Sequence, residues 1–289
     1  MNQSVSVEVM VGDKKITLSS GLLAIQANGA ATIRQGDTLL LSAATADIQP
    51  REGVDYFPMQ VEYREKFYAS GKFPGGFFKR ESRPSEREIL TARFTDRPIR
   101  PLFPKGYRND VQIYNTLLSA DGVNDCDILS VLAASAALTL SDLPFLGPIG
   151  AVRVARVKGQ FVINPTNEEM VQSDLDLIYA SLRDKPVMIE GSALEISEQD
   201  LIAAMRRGHE ECVKLIDAQL ELRRKMGRPD KVPQADAPES PFFKEARAAV
   251  ETELSAALGI PGKQERQKKV NQITATLKAK LAAAHKDMS

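Results

Sequence analysis

Residues 127–141 read DILSVLAASAALTLS, and what surrounds this run decides the fold. The run is an expected helix rich in Ala and Ser, whose small side chains let it lie close against a sheet. Asp142-Leu143-Pro144 ends it, and residues 122–125 form the turn before it, with Asn124 or Asp125 as its cap. Upstream the chain reads as strands. Residues 4–10 and 15–18 make a hairpin around Val11-Gly12-Asp13, followed by strands at 24–34, 37–46, 57–63 and 111–118. The continuous apolar run 39–41 suggests a strand covered on both faces. Downstream come two more hairpins, 150–157 with 160–163 and 174–182 with 187–190. Ser197 then caps a long helix running to about residue 225. Hairpins rather than alternating strand–helix units flank the central helix, which argues an α+β class over a doubly wound sheet.

Residues 227–241, GRPDKVPQADAPESP, read as a linker, and 242–257 and 265–284 as two amphipathic helices around Gly259-Ile260-Pro261-Gly262. The expected organisation is a core over 1–226, a linker over 227–241 and an all-α domain over 242–289.

Lysine and arginine number 38, as do aspartate and glutamate, so the net charge is zero and no global attraction to nucleic acid operates. The charge is unevenly spread. Between Lys72 and Arg108 ten Lys/Arg face four acids, an excess of about six. The same stretch carries Pro74-Gly75-Gly76, then Phe77 and Phe78 in tandem, then Lys79-Arg80. An exposed Phe beside a cation stacks a base while holding its phosphate, worth about 1–3 kcal/mol per base. On the residues alone, burial of both rings as loop anchors is slightly favoured, because exposed aromatics are uncommon. Ser85-Glu86-Arg87-Glu88 fits a capping box that opens a helix, and Pro98 is expected to end it at Arg97. Arg93 and Arg97 lie one turn apart beside Leu90, a phosphate clamp or else a solvated face; Arg100 follows in an extended segment.

Other chemistries fare poorly. His209 and His285 lie near no nucleophile motif, and neither GxxxxGK[ST] nor GxGxxG occurs. Cys126 and Cys212 stand in no CxxC context and read as reduced thiols. No apolar run reaches about 18 residues, so no membrane span is expected. Asp174 and Asp176 share one strand face, as a Mg²⁺ pair or as protective charge on an edge strand; both readings stay open.

The stretch GKFPGGFFKRESRPSEREILTARFTDRPIRPLFPKGY closely resembles the first core of the bacterial polynucleotide phosphorylase family. So do ADGVNDCDILSVLAASAALTLSDLPFLGPIGAVRV, FVINPT and the EISEQDL…RGHE segment, in order over roughly residues 5–285. The resemblance implies a ribonuclease-PH core, of the ribosomal S5 domain 2-like type, followed by a small all-α domain. It implies 3′ to 5′ degradation of RNA by phosphorolysis to nucleoside diphosphates, with inorganic phosphate and Mg²⁺, in a cytoplasmic homotrimer with RNA-degradation partners. Phe77, Phe78, Lys79 and Arg80 match a channel-lining FFRR-like loop, with Lys79 in place of an arginine; Arg93, Arg97 and Arg100 match residues that support RNA and phosphate handling. The family's catalytic second core, which would hold Mg²⁺ and phosphate, lies outside this sequence. No catalytic residue or metal ligand is therefore assigned here, and an N-terminal fragment, inactive alone, is expected. The alternatives are a self-sufficient ribonuclease-PH-like phosphorylase using Asp174 and Asp176, and a non-catalytic RNA-binding or assembly scaffold.

Overall fold

The computed structural model describes residues 4–50, 52–232 and 242–285. The chain divides into two compact units, 1–236 and 237–289. Most of the expected linker, residues 233–241, lies outside the described residues.

The first unit holds two sheets. The first is built from β1 (Val5–Val11), β2 (Lys14–Ser20), β3 (Gly29–Gln35), β4 (Thr38–Pro50), β5 (Met59–Glu65) and β6 (Asn109–Ser119), in the order β1-β2-β3-β4-β6-β5. Neighbours are antiparallel except β5 and β6, which run parallel, so the segment between them must cross over. That crossover contains the basic stretch and α1 (Glu86–Ile99). The second sheet is β7 (Gly150–Val157), β8 (Gln160–Ile163), β9 (Ser173–Ser181) and β10 (Pro186–Ala193), antiparallel in the order β10-β9-β7-β8.

Helix α2 (Asp127–Leu140) lies between the sheets, packed on β3, β4 and β6 of the first and β7 of the second, and residues 128–140 are all buried. Its alanines and serines permit that approach. At Gly29 of β3 an added Cβ would sit 2.1 Å from the Ala137 carbonyl, so helix and strand meet backbone to backbone there. After α3 (Asn167–Val171), helix α4 (Glu198–Lys225) fills the remaining space between the sheets, touching β1, β2, β7, β8 and β9. Gly150 of β7 meets its Cys212 backbone in the same way, with an added Cβ 2.3 Å from the carbonyl. The buried Glu211 of α4 accepts the Gly12 N–H at 3.0 Å, fastening the β1–β2 turn. In the second unit α5 (Phe243–Leu258) and α6 (Lys263–Ala284) pack as an antiparallel pair with Ala257 and Ile273 buried, closed by His285 against Glu245.

Five expectations are corrected. Pro98 does not stop α1 at Arg97: the helix includes Pro98 and runs to Ile99, then tightens over Arg100–Leu102. A proline one turn from a helix end removes one N–H only, and the burial of Pro98, Ile99 and Leu102 offsets that loss. Arg100 is accordingly helical, its N–H donating to the Asp96 carbonyl, not extended. The Leu39–Leu41 segment of β4 buries one face and leaves the other half-exposed. Asp174 and Asp176 stand on β9, an interior strand, so the edge-charge reading fails. Finally, neither Asn124 nor Asp125 caps α2; Cys126 occupies the N-cap position without a side-chain bond, and Asp125 is drawn instead into ion pairs.

Candidate nucleic-acid interface

The segment between β5 and α1 leaves the body as a loop with a fixed stem and a free tip. At the stem the Lys72 N–H donates to the Phe67 carbonyl at 3.1 Å, the Phe67 N–H to Glu81 Oε1 at 3.2 Å, and Arg64 Nη2 to the Ser82 carbonyl at 3.4 Å. At the tip the backbone turns through left-handed residues at Gly76 and Lys79. Phe77 is 93% exposed and Phe78 78%, which overturns burial of both rings as anchors. They touch each other edge to face, centroids 5.4 Å apart, and the Arg80 guanidinium carbon lies 5.9 Å from the Phe78 ring centre. Lys79, Arg80 and Arg83 have no carboxylate partner among the described residues. Burying a phenylalanine gains about 1.5–3 kcal/mol, and this loop forgoes that gain twice. Two bare rings interleaved with bare cations suit a ligand with flat faces and negative charge.

Helix α1 carries the other three arginines assigned from sequence. The capping box is present: Ser85 Oγ accepts the Glu88 N–H at 3.3 Å and Glu88 Oε2 accepts the Ser85 N–H at 2.6 Å. Glu88 Oε1 also accepts the Glu65 N–H, fastening α1 to β5. Burial pushes its carboxyl up, but these N–H bonds outweigh it and hold the group below its ordinary value. Of the arginines, Arg93 is exposed with no ion-pair partner among the described residues. Arg97 pairs with Glu190 of β10, both side chains over half exposed. Arg100 spends four of its five N–H groups on Asp96 and on the Phe57 and Met59 carbonyls. The structure therefore brings Arg93 and Arg97 together on one face and turns Arg100 inward as a brace.

An open groove of about 1560 Å³ follows α1, floored by Met59, Val61, Leu90, Phe94 and Ile178 and walled by five arginines and seven carboxylates. Three of these acids lie in the basic stretch itself, but Glu62, Asp125, Asp127 and Glu190 arrive from other elements, which the sequence does not show. Arg87 pairs with Asp125 at 2.8 Å and Glu65 at 3.5 Å, while Arg153 of β7 holds Asp125 at 2.9 Å, Asp127 at 2.6 Å and Asp176 at 3.4 Å. Burial, then the neighbouring Asp125 charge, push the Asp127 carboxyl up to about 6 against the pull of Arg153. Burial likewise raises the Cys126 thiol to about 12, leaving no thiolate for nucleophilic chemistry.

Asp174 is held by Arg156, whose Nη2 lies 2.7 Å away, and Arg156 also reaches Asp200 at 2.6 Å. The arginine's hydrogen bond holds the Asp174 carboxyl below its ordinary value. With Asp176 facing Arg153, each carboxylate already has a cation. Among the described residues no group of three His, Cys, Asp or Glu is placed to hold a metal, and both carboxylates of this pair face arginines. No helix among them is long and apolar enough to cross a membrane. His209 is structural, bridging the Tyr179 hydroxyl and the Arg183 carbonyl.

Comparison with known proteins agrees with this architecture. The model for domain 1 of the 3′ exoribonuclease family, RNase_PH, matches residues 12–144, and that for domain 2 matches 147–211. The chain belongs to the 3′ exoribonuclease family. Rice Rrp46, a solved structure 13% identical, shares the fold with a TM-score of 0.55 over 76% of this chain and 93% of its own. The sequence relatives are more specific: they are polyribonucleotide nucleotidyltransferases, whose N-terminal first core this chain matches. That of Sulfurihydrogenibium sp. is 46% identical over 96% of this chain and 40% of its own length. That of Geobacter sulfurreducens is 47% identical over 93% and 39%, and that of Thermomicrobium roseum 51% over 76% and 28%. The chain thus spans about 40% of the length of the first two relatives.

Proposed function

We propose that this chain is the RNA-engaging first core of a polyribonucleotide nucleotidyltransferase that degrades RNA from the 3′ end by phosphorolysis. Phe77 and Phe78 stack bases, Lys79 and Arg80 hold the adjoining phosphates, and Arg93 and Arg97 continue the path along α1. Arg100 shapes the helix end and does not touch RNA. The observation that carries this reading is the tip of the loop, two exposed rings beside two cations with no carboxylate partner among the described residues, on a fixed stem. Mg²⁺ and inorganic phosphate belong, in this proposal, to residues outside these 289. Assembly as a cytoplasmic homotrimer, open to RNA-degradation partners, follows from the same reading.

Photocrosslinking with a single-stranded RNA carrying 5-iodouracil tests it. The adduct is expected on the peptide holding Phe77 and Phe78. Adducts confined to other surfaces, with none on this loop, would overturn the assignment.

A further inference from the structure

The groove beside α1 poses a chemical question that the loop does not. It offers guanidinium groups at phosphate-clamp spacing, yet its walls carry more carboxylates than arginines. Arg93 and Arg97 of the helix and Arg100 at its end are held in three different ways. Arg100 is locked by a bidentate carboxylate and two carbonyls. Arg93 is free of carboxylate partners among the described residues. Arg97 is intermediate: its contact is the single bond from Nη1 to Glu190 Oε2. That pair joins two separate elements across the groove, α1 and the edge strand β10, and its side chains are 57% and 53% exposed. An exposed pair of this kind is weak, so it exchanges readily for a better anion.

We propose that Glu190 is a displaceable internal counter-anion. Its carboxylate occupies the place at Arg97 that a phosphate oxyanion takes when one enters the groove. Residues four apart on a helix have Cβ atoms about 5–6 Å apart, so Arg93 and Arg97 then share the incoming phosphate. This inference rests on the proposed RNA-binding role of α1 and adds its regulation. The carboxylate competes with every anion at Arg97 and so lowers affinity modestly, a handicap that a phosphate held by both arginines overcomes most easily. The ligand is a phosphate oxyanion, from the RNA backbone or as free orthophosphate.

The test uses the 289-residue chain, its Glu190→Gln variant, Arg97→Ala, and the double variant. Single-stranded RNA binding is measured across a salt series. Orthophosphate binding is followed separately through the NMR signals of the arginine side chains. Glutamine keeps the shape and removes the charge, so RNA affinity is expected to rise about two- to fivefold. The slope of log K against log[salt] should steepen by about 0.7. In the Arg97→Ala background Glu190→Gln should change nothing. If the phosphate source is orthophosphate, Glu190→Gln strengthens its effect on the Arg93 and Arg97 signals; if the RNA backbone, only RNA binding changes. Equal or weaker binding of both ligands by Glu190→Gln, or a gain that persists without Arg97, would overturn the proposal. Failure of the loop reading has a different signature: RNA binding indifferent to Phe77, Phe78, Lys79 and Arg80, whatever Glu190 does.

Discussion

Replacing Phe77 and Phe78 with alanine separates two roles that an aromatic pair can have. A core phenylalanine costs about 3–5 kcal/mol when truncated. These rings are 93% and 78% exposed, so the double variant should melt within a few degrees of wild type. RNA affinity should fall with little change in its salt dependence, because stacking involves no counterion release. A large drop in melting temperature would restore the anchor role. The tandem rings and their cations were legible in sequence. Their exposure was not, since it depends on the stem bonds made by Glu81 and Arg64. The same holds for Arg97, whose place on the helix follows from spacing while Glu190, 93 residues away, sets what it is free to do; Arg100, expected in an extended segment, is helical and held by the Phe57 and Met59 carbonyls.

At the scale of elements, the turn before α2 makes a pH-dependent contribution. Asp121 accepts the N–H groups of Val123 and Asn124 and the Asn124 side-chain amide at 2.8, 2.9 and 2.6 Å. Burial raises its carboxyl, but these bonds outweigh that and bring it to about 2, below the ordinary value near 4. A carboxyl depressed by folding contributes stability that is complete above the unfolded value and is lost as pH falls through the folded one. Denaturant unfolding followed from about pH 4 to pH 2 should therefore lose stability less steeply in Asp121→Asn than in wild type. Helix and sheet contacts make a second expectation. A methyl at Gly29 would lie 2.1 Å from the Ala137 carbonyl, so Gly29→Ala should cost about 1–3 kcal/mol or more, read from the shift in urea midpoint. Small residues in 127–141 announced the close approach of α2 in sequence. The strand glycine that receives it carries no local signal, because the contact joins residues over a hundred positions apart. Pro98 was misread for a related reason: local geometry favoured a stop, and burial of Ile99 and Leu102 prevailed.

For the molecule as a whole, the α+β class followed from the order of hairpins, and the two sheets around α2 and α4 bear it out. The acidic pair shows the limit of such reading. Asp174 and Asp176 were visible as a shared strand face, but their ion pairs with Arg153 and Arg156 on the neighbouring strand were not. With each carboxylate committed to an arginine, the chain alone is expected to release no nucleoside diphosphate from poly(A) given orthophosphate and Mg²⁺. Release that disappears in Asp174→Asn would overturn that expectation and make this core self-sufficient. The central claim, that the loop between β5 and α1 grips RNA, is tested most directly by a filter-binding salt titration of wild type against the Lys79→Ala, Arg80→Ala double variant. The account predicts weaker binding and a log K versus log[salt] slope flatter by about 1.4, which is about 0.7 for each of two phosphates no longer neutralised. Unchanged affinity and an unchanged slope would contradict it.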